Sequence, residues 1–351
     1  MGEPAEGRTR TSPLRRFLRI AVSVAIVVGV FAYAIPQIAD YSEVWSTLRE
    51  LTPIELWSLV AATVFNLATY WLVNMSALPG LPLWRSAILT QTTTSVANTV
   101  PAGGAVAVGL TYAMLTSWGF DSQAIALYVG VTGIWNVLMK LALPVVALGL
   151  LAFTGGVNAA LATAAAVGLV ALVIALVLFA LVLWKKEFAR RIGDRLGRIV
   201  SALRKPLRRP AVEGWGEGAV GFRKRTIKLV AKRWPALTLS TMVSHLALWL
   251  VLLLALRHVG VSERDVSTPA TLAVFAFGRL ITALPITPGG LGVIELGYIG
   301  GLVAAGGPRP EVVAAVLLFR VLTYAVQIPL GGLTYLVWRG GLRRTETRAT
   351  A

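Results

Sequence analysis

Thr287-Pro288-Gly289-Gly290, followed by Leu291 to Tyr298, interrupts an apolar segment in the second half of the chain. The first half carries Thr99-Val100-Pro101-Ala102-Gly103-Gly104, followed by Ala105 to Tyr112. Aligned on Gly103 and Gly289, the pairs Gly104/Gly290, Leu110/Leu296 and Tyr112/Tyr298 also coincide, at a constant offset of 186 residues. Proline removes a backbone donor and glycine loosens the chain, so Pro101 and Pro288, each with its glycines, should stop a helix inside the apolar layer. Interrupted segments at corresponding positions of two halves point to the substrate site of a transporter. Gly103, Gly104, Gly289 and Gly290 are therefore candidate binding positions.

Composition sets the class around these breaks. A mean hydropathy of +0.73 with 14% charged residues excludes an ordinary soluble domain and predicts an all-α integral membrane protein. Apolar runs long enough to cross a bilayer fall at 17–35, 54–76, 124–153, 158–184, 234–256 and 311–338, giving about six full spans. The interrupted segments occupy 86–117 and 268–306. With no cysteine and only His245 and His258, thiolate chemistry is excluded and neither a metal site nor a cofactor is expected. Arg8, Arg10, Arg15, Arg16 and Arg19 before an apolar run ending Ala32-Tyr33-Ala34 resemble a signal peptide, but an uncleaved first helix suits a multispanning chain better.

Charge gives the topology. The connection 185–233 holds 16 Lys/Arg against 4 Asp/Glu, and the tail 339–351 adds Arg339, Arg343, Arg344 and Arg348. By the positive-inside rule, both termini and this connection are expected in the cytoplasm. Segment 36–53, with Asp40, Glu43 and Glu50 against Arg49, is expected outside. Segment 86–117 must then return to its starting side. It is too short for two full spans at about 20 residues each, so a re-entrant hairpin from the cytoplasm is expected. Segment 268–306 must likewise return to the outside, as a hairpin or as two short spans. The chain thus divides into a first half, 1–184, and a second half, 234–338, arranged as an inverted repeat with the breaks meeting between them. Within 185–233, Phe188, Ile192, Leu196, Ile199, Val200 and Leu203 share one helical face among arginines, the pattern of an interfacial helix on an anionic inner leaflet. No nucleic-acid partner is expected, because no interleaved aromatic pattern accompanies the charge.

Ionisable residues within spans are costly and mark function by default. Here they are Lys140, His245, Arg279, Glu295 and Arg320. Glu295 is the acid, and either Arg279 across the bend or Arg320 on the last span could pair with it. Lys140, Arg279 and Arg320 outnumber it, so an anionic group would complete the set. Each break also starts a new half-helix whose amide end favours phosphate or carboxylate. The competing reading is a structural Arg279–Glu295–Arg320 network that pins helices together. His245 is expected as a packed neutral imidazole, and Asn66, Asn98 and Asn136 as ordinary interhelical bonding groups.

The string Leu284-Pro285-Ile286-Thr287-Pro288-Gly289-Gly290-Leu291-Gly292-Val293-Ile294-Glu295 resembles the signature of the lysylphosphatidylglycerol synthase transmembrane, or flippase-like, family. Phe319-Arg320-Val321-Leu322-Thr323-Tyr324 resembles that family's Arg-bearing last span. The resemblance runs from about residue 36 to 340 and is more specific in the second half. The family usually carries charges in the first repeat's hairpin and following span, whereas 106–110 and 133–136 have none. What the resemblance implies is a multi-pass protein of the bacterial inner membrane, related to the domain that moves aminoacylated phospholipid between leaflets. Nothing in these 351 residues corresponds to the cytosolic transferase that makes that lipid, so lysyl transfer is not expected of them.

The expected function is translocation of an anionic or aminoacylated phospholipid, or of a lipid-linked glycan. One alternative is a non-transporting accessory subunit docking through the basic connection. The other is a membrane glycosyltransferase, for which Asp40 and Glu43 form the available carboxylate pair. No enzyme activity is the favoured reading, and the absence of G-x-x-x-x-G-K-[ST] leaves passive, ion-coupled or partner-driven transport. Membrane lipids are the expected partners, and the sequence specifies no oligomeric state.

Overall fold

In a computed structural model, residues 41–100, 103–153, 159–205, 210–211, 213–282 and 287–350 are described, and among them every regular element is helical. Helices satisfy their own backbone groups, which lipid-facing apolar segments require. In chain order they are α1 (Tyr41–Arg49), α2 (Pro53–Ala77), α3 (Leu83–Thr99), α4 (Gly103–Ser117), α5 (Ser122–Phe153) and α6 (Ala159–Trp184). Next come α7 (Lys186–Arg204), α8 (Trp215–His258), α9 (Thr268–Ile281), α10 (Val293–Ala304), α11 (Arg309–Arg320) and α12 (Gln327–Thr350). Local chemistry sets the starts. Thr52 accepts the Glu55 N–H while the Glu55 carboxylate takes the Thr52 N–H at 2.8 Å, and Pro53 occupies the first turn of α2.

Among the described residues, five helical stretches are long and apolar enough to cross a membrane: Pro53–Ala77, Ser122–Phe153, Ala166–Trp184, Trp215–His258 and Arg309–Leu342. Five of the expected spans fall on them, and the one expected at 17–35 lies outside the described residues. Ala166–Trp184 buries none of its apolar window within the protein, as suits a helix surrounded by lipid. The two interrupted segments are pairs of short helices, α3 with α4 and α9 with α10.

Most of the described part of the basic connection is helical, in α7 and in the start of α8. The 44-residue α8 is about 66 Å long at 1.5 Å per residue, roughly twice the bilayer core. The expected span 234–256 is the C-terminal half of α8, and the other half carries Arg223, Lys224, Arg225, Lys228, Lys232 and Arg233. Helix α7 packs on that basic half through glycines: a methyl group on Gly193 or Gly197 would meet Trp215, and one on Gly216 would meet Asp194. Close packing brings Arg190 Nη2 to 2.6 Å from Glu217 Oε1. Leu196 and Ile199 remain exposed on α7.

Contacts assign the helix ends to two sides. At the basic end, Arg225 donates to Gln123 at 2.7 Å, Arg233 to the Met75 carbonyl at 3.3 Å, and Trp338 Nε1 to Ser117 Oγ at 3.0 Å. The Arg85 guanidinium lies over Trp84 and Trp118, which joins the two ends of the α3–α4 pair there. At the opposite end, His258 Nε2 lies 2.7 Å from Ser58 Oγ, Arg257 pairs with Glu263, and Gly306 approaches the Asp265 carbonyl. Both ends of the α9–α10 pair lie at this second end: Thr268, which starts α9, donates its N–H to Glu263 at 2.7 Å, and Gly306, just past α10, lies against Asp265. The pairing between halves is reciprocal: α2 packs on α8, α3 on α12, and α9 on α5. The larger core runs under α8 to α11 around Phe275, Tyr298, Leu302 and Val313, and a second gathers Leu89, Met114, Ile125 and Trp135.

Candidate functional site

The second break is built on left-handed backbone. Gly289, Gly290 and Gly292 have φ of 60°, 70° and 84°, values that disfavour any residue with a Cβ. A side chain at Gly289 would also run into the Tyr324 ring. Pro288 opens the tight turn, and Thr287 Oγ1 closes it by donating to the Leu291 carbonyl at 2.8 Å. This chain reversal delivers Glu295 to the first turn of α10, where its Oε2 accepts the Gly292 N–H at 2.8 Å.

Glu295 is fully buried, and Arg320 keeps 13% of its side-chain exposure. Arg320 Nε donates to Glu295 Oε1 at 2.6 Å and its Nη2 to the Gly289 carbonyl at 3.2 Å. The guanidinium also lies 4.5 Å over the Tyr324 ring. Of the two arginines that spacing allowed, Arg320 therefore takes the acid. The amide end of α10, expected to face an incoming anion, is instead closed by Glu295, so carboxylate, guanidinium and helix end neutralise one another locally. Arg320 ends α11 and a π turn follows at Val321–Ala325, a distortion frequent at functional sites.

The first break is simpler. Helix α3 ends at Thr99, Pro101 and Ala102 lie outside the described residues, and Gly103 starts α4. A methyl group on Gly103 would strike the Val96 and Ala97 carbonyls, so the chain folds back tightly there, whereas Gly104 is exposed and meets nothing. The two breaks touch: Tyr324 donates its hydroxyl proton to the Asn98 carbonyl at 2.8 Å, and the turn Pro288–Gly290 packs on α3.

A separate cationic cluster lies between α5, α8 and α9. Lys140 is only 9% exposed, and its ammonium donates to Thr282 Oγ1 at 2.9 Å. Thr282 in turn donates to the Arg279 carbonyl at 2.6 Å. Among the described residues Arg279 forms no ion pair, and its buried Nε has no hydrogen-bond partner. His245 is 3% exposed, with Nδ1 3.0 Å from the Thr241 carbonyl. A carbonyl only accepts, so Nδ1 carries the proton, and Nε2 has no partner. Lys140 and Arg279 are both close enough for their charges to act on His245. Taking two cations out of water without a counter-charge costs on the order of several kcal/mol per ion.

The structure thus divides the expected site into two groups. Gly289, Gly290, Glu295 and Arg320 come together with Gly103 nearby through α3, while Lys140 and Arg279 form the second cluster. Tyr298 is buried in a stack on Phe275 and edge-on to Phe319. Asn66 bonds the Ser244 carbonyl, and Asn74 bonds Thr90, as interhelical links. Spacing missed two participants, Tyr324 and Thr282. Tyr324 stands four residues after Arg320, an interval that puts the two on one helical face.

Long apolar helices, with two interrupted helix pairs and a buried acid paired with arginine between them, define a multi-pass helical membrane protein. The chain belongs to the family described as the lysylphosphatidylglycerol synthase TM region, whose model matches residues 20–331. No curated protein matches the chain.

Proposed function

We propose that this protein translocates a phospholipid bearing an anionic or aminoacylated headgroup, or a lipid-linked glycan, across a bacterial inner membrane. The observation that carries the reading is the meeting of the two breaks: one helix pair enters from the basic end, the other from the opposite end, and Tyr324 bonds Asn98 where they touch. The reciprocal packing of α2 on α8, α3 on α12 and α9 on α5 supports an inverted repeat in which both pairs are re-entrant. Irregular backbone at membrane depth is tolerated only inside protein or along a wet cavity, so the junction is where a headgroup is expected to pass.

In this reading α7 and the basic N-terminal half of α8 lie on the cytoplasmic side, as do both termini. The exposed Leu196 and Ile199, flanked by Arg195 and Arg198, then rest α7 on the anionic inner leaflet. The protein acts as a carrier without a catalytic centre or cofactor. The test is leaflet exchange of fluorescent phosphatidylglycerol, lysyl-phosphatidylglycerol and phosphatidylcholine in proteoliposomes holding the purified chain. Exchange of the first two above empty vesicles supports the reading. Exchange no faster than empty vesicles for every lipid moves the assignment to a non-transporting accessory subunit that docks through α7 and α8.

A further inference from the structure

We propose that Lys140, Arg279 and Thr282, backed by His245, form a binding site for a phosphate group, separate from the Glu295–Arg320 pair. The cluster spans both halves: Lys140 stands on α5, while Arg279 and Thr282 stand at the C-terminal end of α9. Lys140 has three N–H donors, and among the described residues one reaches Thr282 and the others reach nothing. Arg279 keeps a buried Nε without an acceptor, and His245 keeps a buried Nε2 without a donor.

Among the described residues no carboxylate answers these charges, because Glu295 is taken by Arg320 and by the Gly292 amide. The carbonyl end of α9 supplies about half an elementary charge, against two full positive charges. A tetrahedral oxyanion fits the deficit: a forked guanidinium and an ammonium donate together to phosphate oxygens, with the Thr282 hydroxyl beside them. The unprotonated His245 nitrogen is then free to accept from a hydroxyl on the same ligand. The phosphate is either that of a lipid headgroup or free inorganic phosphate, since both present the same oxygens.

The site extends the translocation reading without requiring it. Binding is read without transport, so a chain that binds but does not exchange lipid overturns only the earlier proposal. The experiment measures equilibrium binding of radiolabelled dioleoyl-phosphatidylglycerol to the purified full chain in detergent, with dioleoylglycerol and inorganic phosphate as competitors. Saturable binding is expected, weakened at least about tenfold by Arg279→Gln and by Lys140→Met and unchanged by Arg85→Gln at the basic end. Dioleoylglycerol should not compete. Competition by inorganic phosphate assigns the site to the free anion as well, and its failure to compete assigns it to the headgroup. Unchanged affinity in variants that melt like the parent, equal competition by dioleoylglycerol, or no binding of either ligand overturns the proposal. Lys140→Met decides the matter if Arg279→Gln does not fold.

Discussion

Arg320 and Glu295 meet at 2.6 Å in the protein interior, and the carboxylate that Arg320 holds is the same one that closes the amide end of α10. One acid therefore serves two partners, the guanidinium and the Gly292 N–H, and through them holds the shape of the glycine turn. Removing either charge strands the other where water is scarce.

Glu295→Gln and Arg320→Gln should each destabilise the purified protein by about 3–5 kcal/mol, the range for breaking one side of a buried pair. The double variant should cost clearly less than the sum, because no charge is left stranded. Thermal melting in detergent across the four proteins measures the coupling. Additive losses would show that the two side chains act independently.

The glycines predict a contrast. Gly289→Ala combines left-handed backbone with a clash against Tyr324, and at least 1–2 kcal/mol of loss is expected from the backbone alone. Gly104→Ala, at an exposed position with open space around it, should be neutral within about 0.5 kcal/mol. Expression level and melting temperature distinguish the pair.

Much of this was legible in the sequence. Proline and glycine chemistry located both breaks, and the scarcity of intramembrane acids singled out Glu295. The choice between Arg279 and Arg320 was not legible, because spacing put both within reach and only the folded turn aims Glu295 at α11. The extension of the span at 234–256 back to Trp215 in a single helix, α8, was hidden as well. Gly193 and Gly197 read as helix-weakening residues in isolation, yet they are what lets α7 pack on Trp215. The Tyr324–Asn98 contact joins residues 226 apart, which no local pattern encodes.

The turn before α9 predicts an acid limb to stability. The Thr268 backbone N–H, with its hydroxyl and Arg257, holds Glu263 below the usual carboxylate range. The Ser262 hydroxyl and N–H do the same for Asp265. Carboxylates depressed in the folded state stabilise it above their unfolded pKa, and that contribution is lost as pH falls through the folded value. The melting temperature should hold from pH 7 down to about 5 and fall below about 4.5. Glu263→Gln should make that acid limb shallower, and an identical limb would refute the assignment.

Tyr324→Phe removes the hydrogen bond that ties the π turn behind Gly289 to the end of α3, and keeps the ring against the Arg320 guanidinium. A loss of about 0.5–1.5 kcal/mol is expected, together with a changed exchange rate. An unaltered rate would mean that the contact plays no part in transport.

The most direct test of the central claim uses the absence of cysteine from the chain. Asn98→Cys and Tyr324→Cys together place one thiol at the end of α3, beside the first break, and one on the π turn whose residue 324 backs Gly289 of the second, and a short bifunctional thiol reagent is used to bridge them. Lipid exchange is measured in the same proteoliposomes before and after bridging. The account predicts that exchange stops once the breaks are tied together and that each single-cysteine variant is indifferent to the reagent. Exchange continuing at the unbridged rate in fully bridged protein would contradict passage of the headgroup at the junction of the breaks.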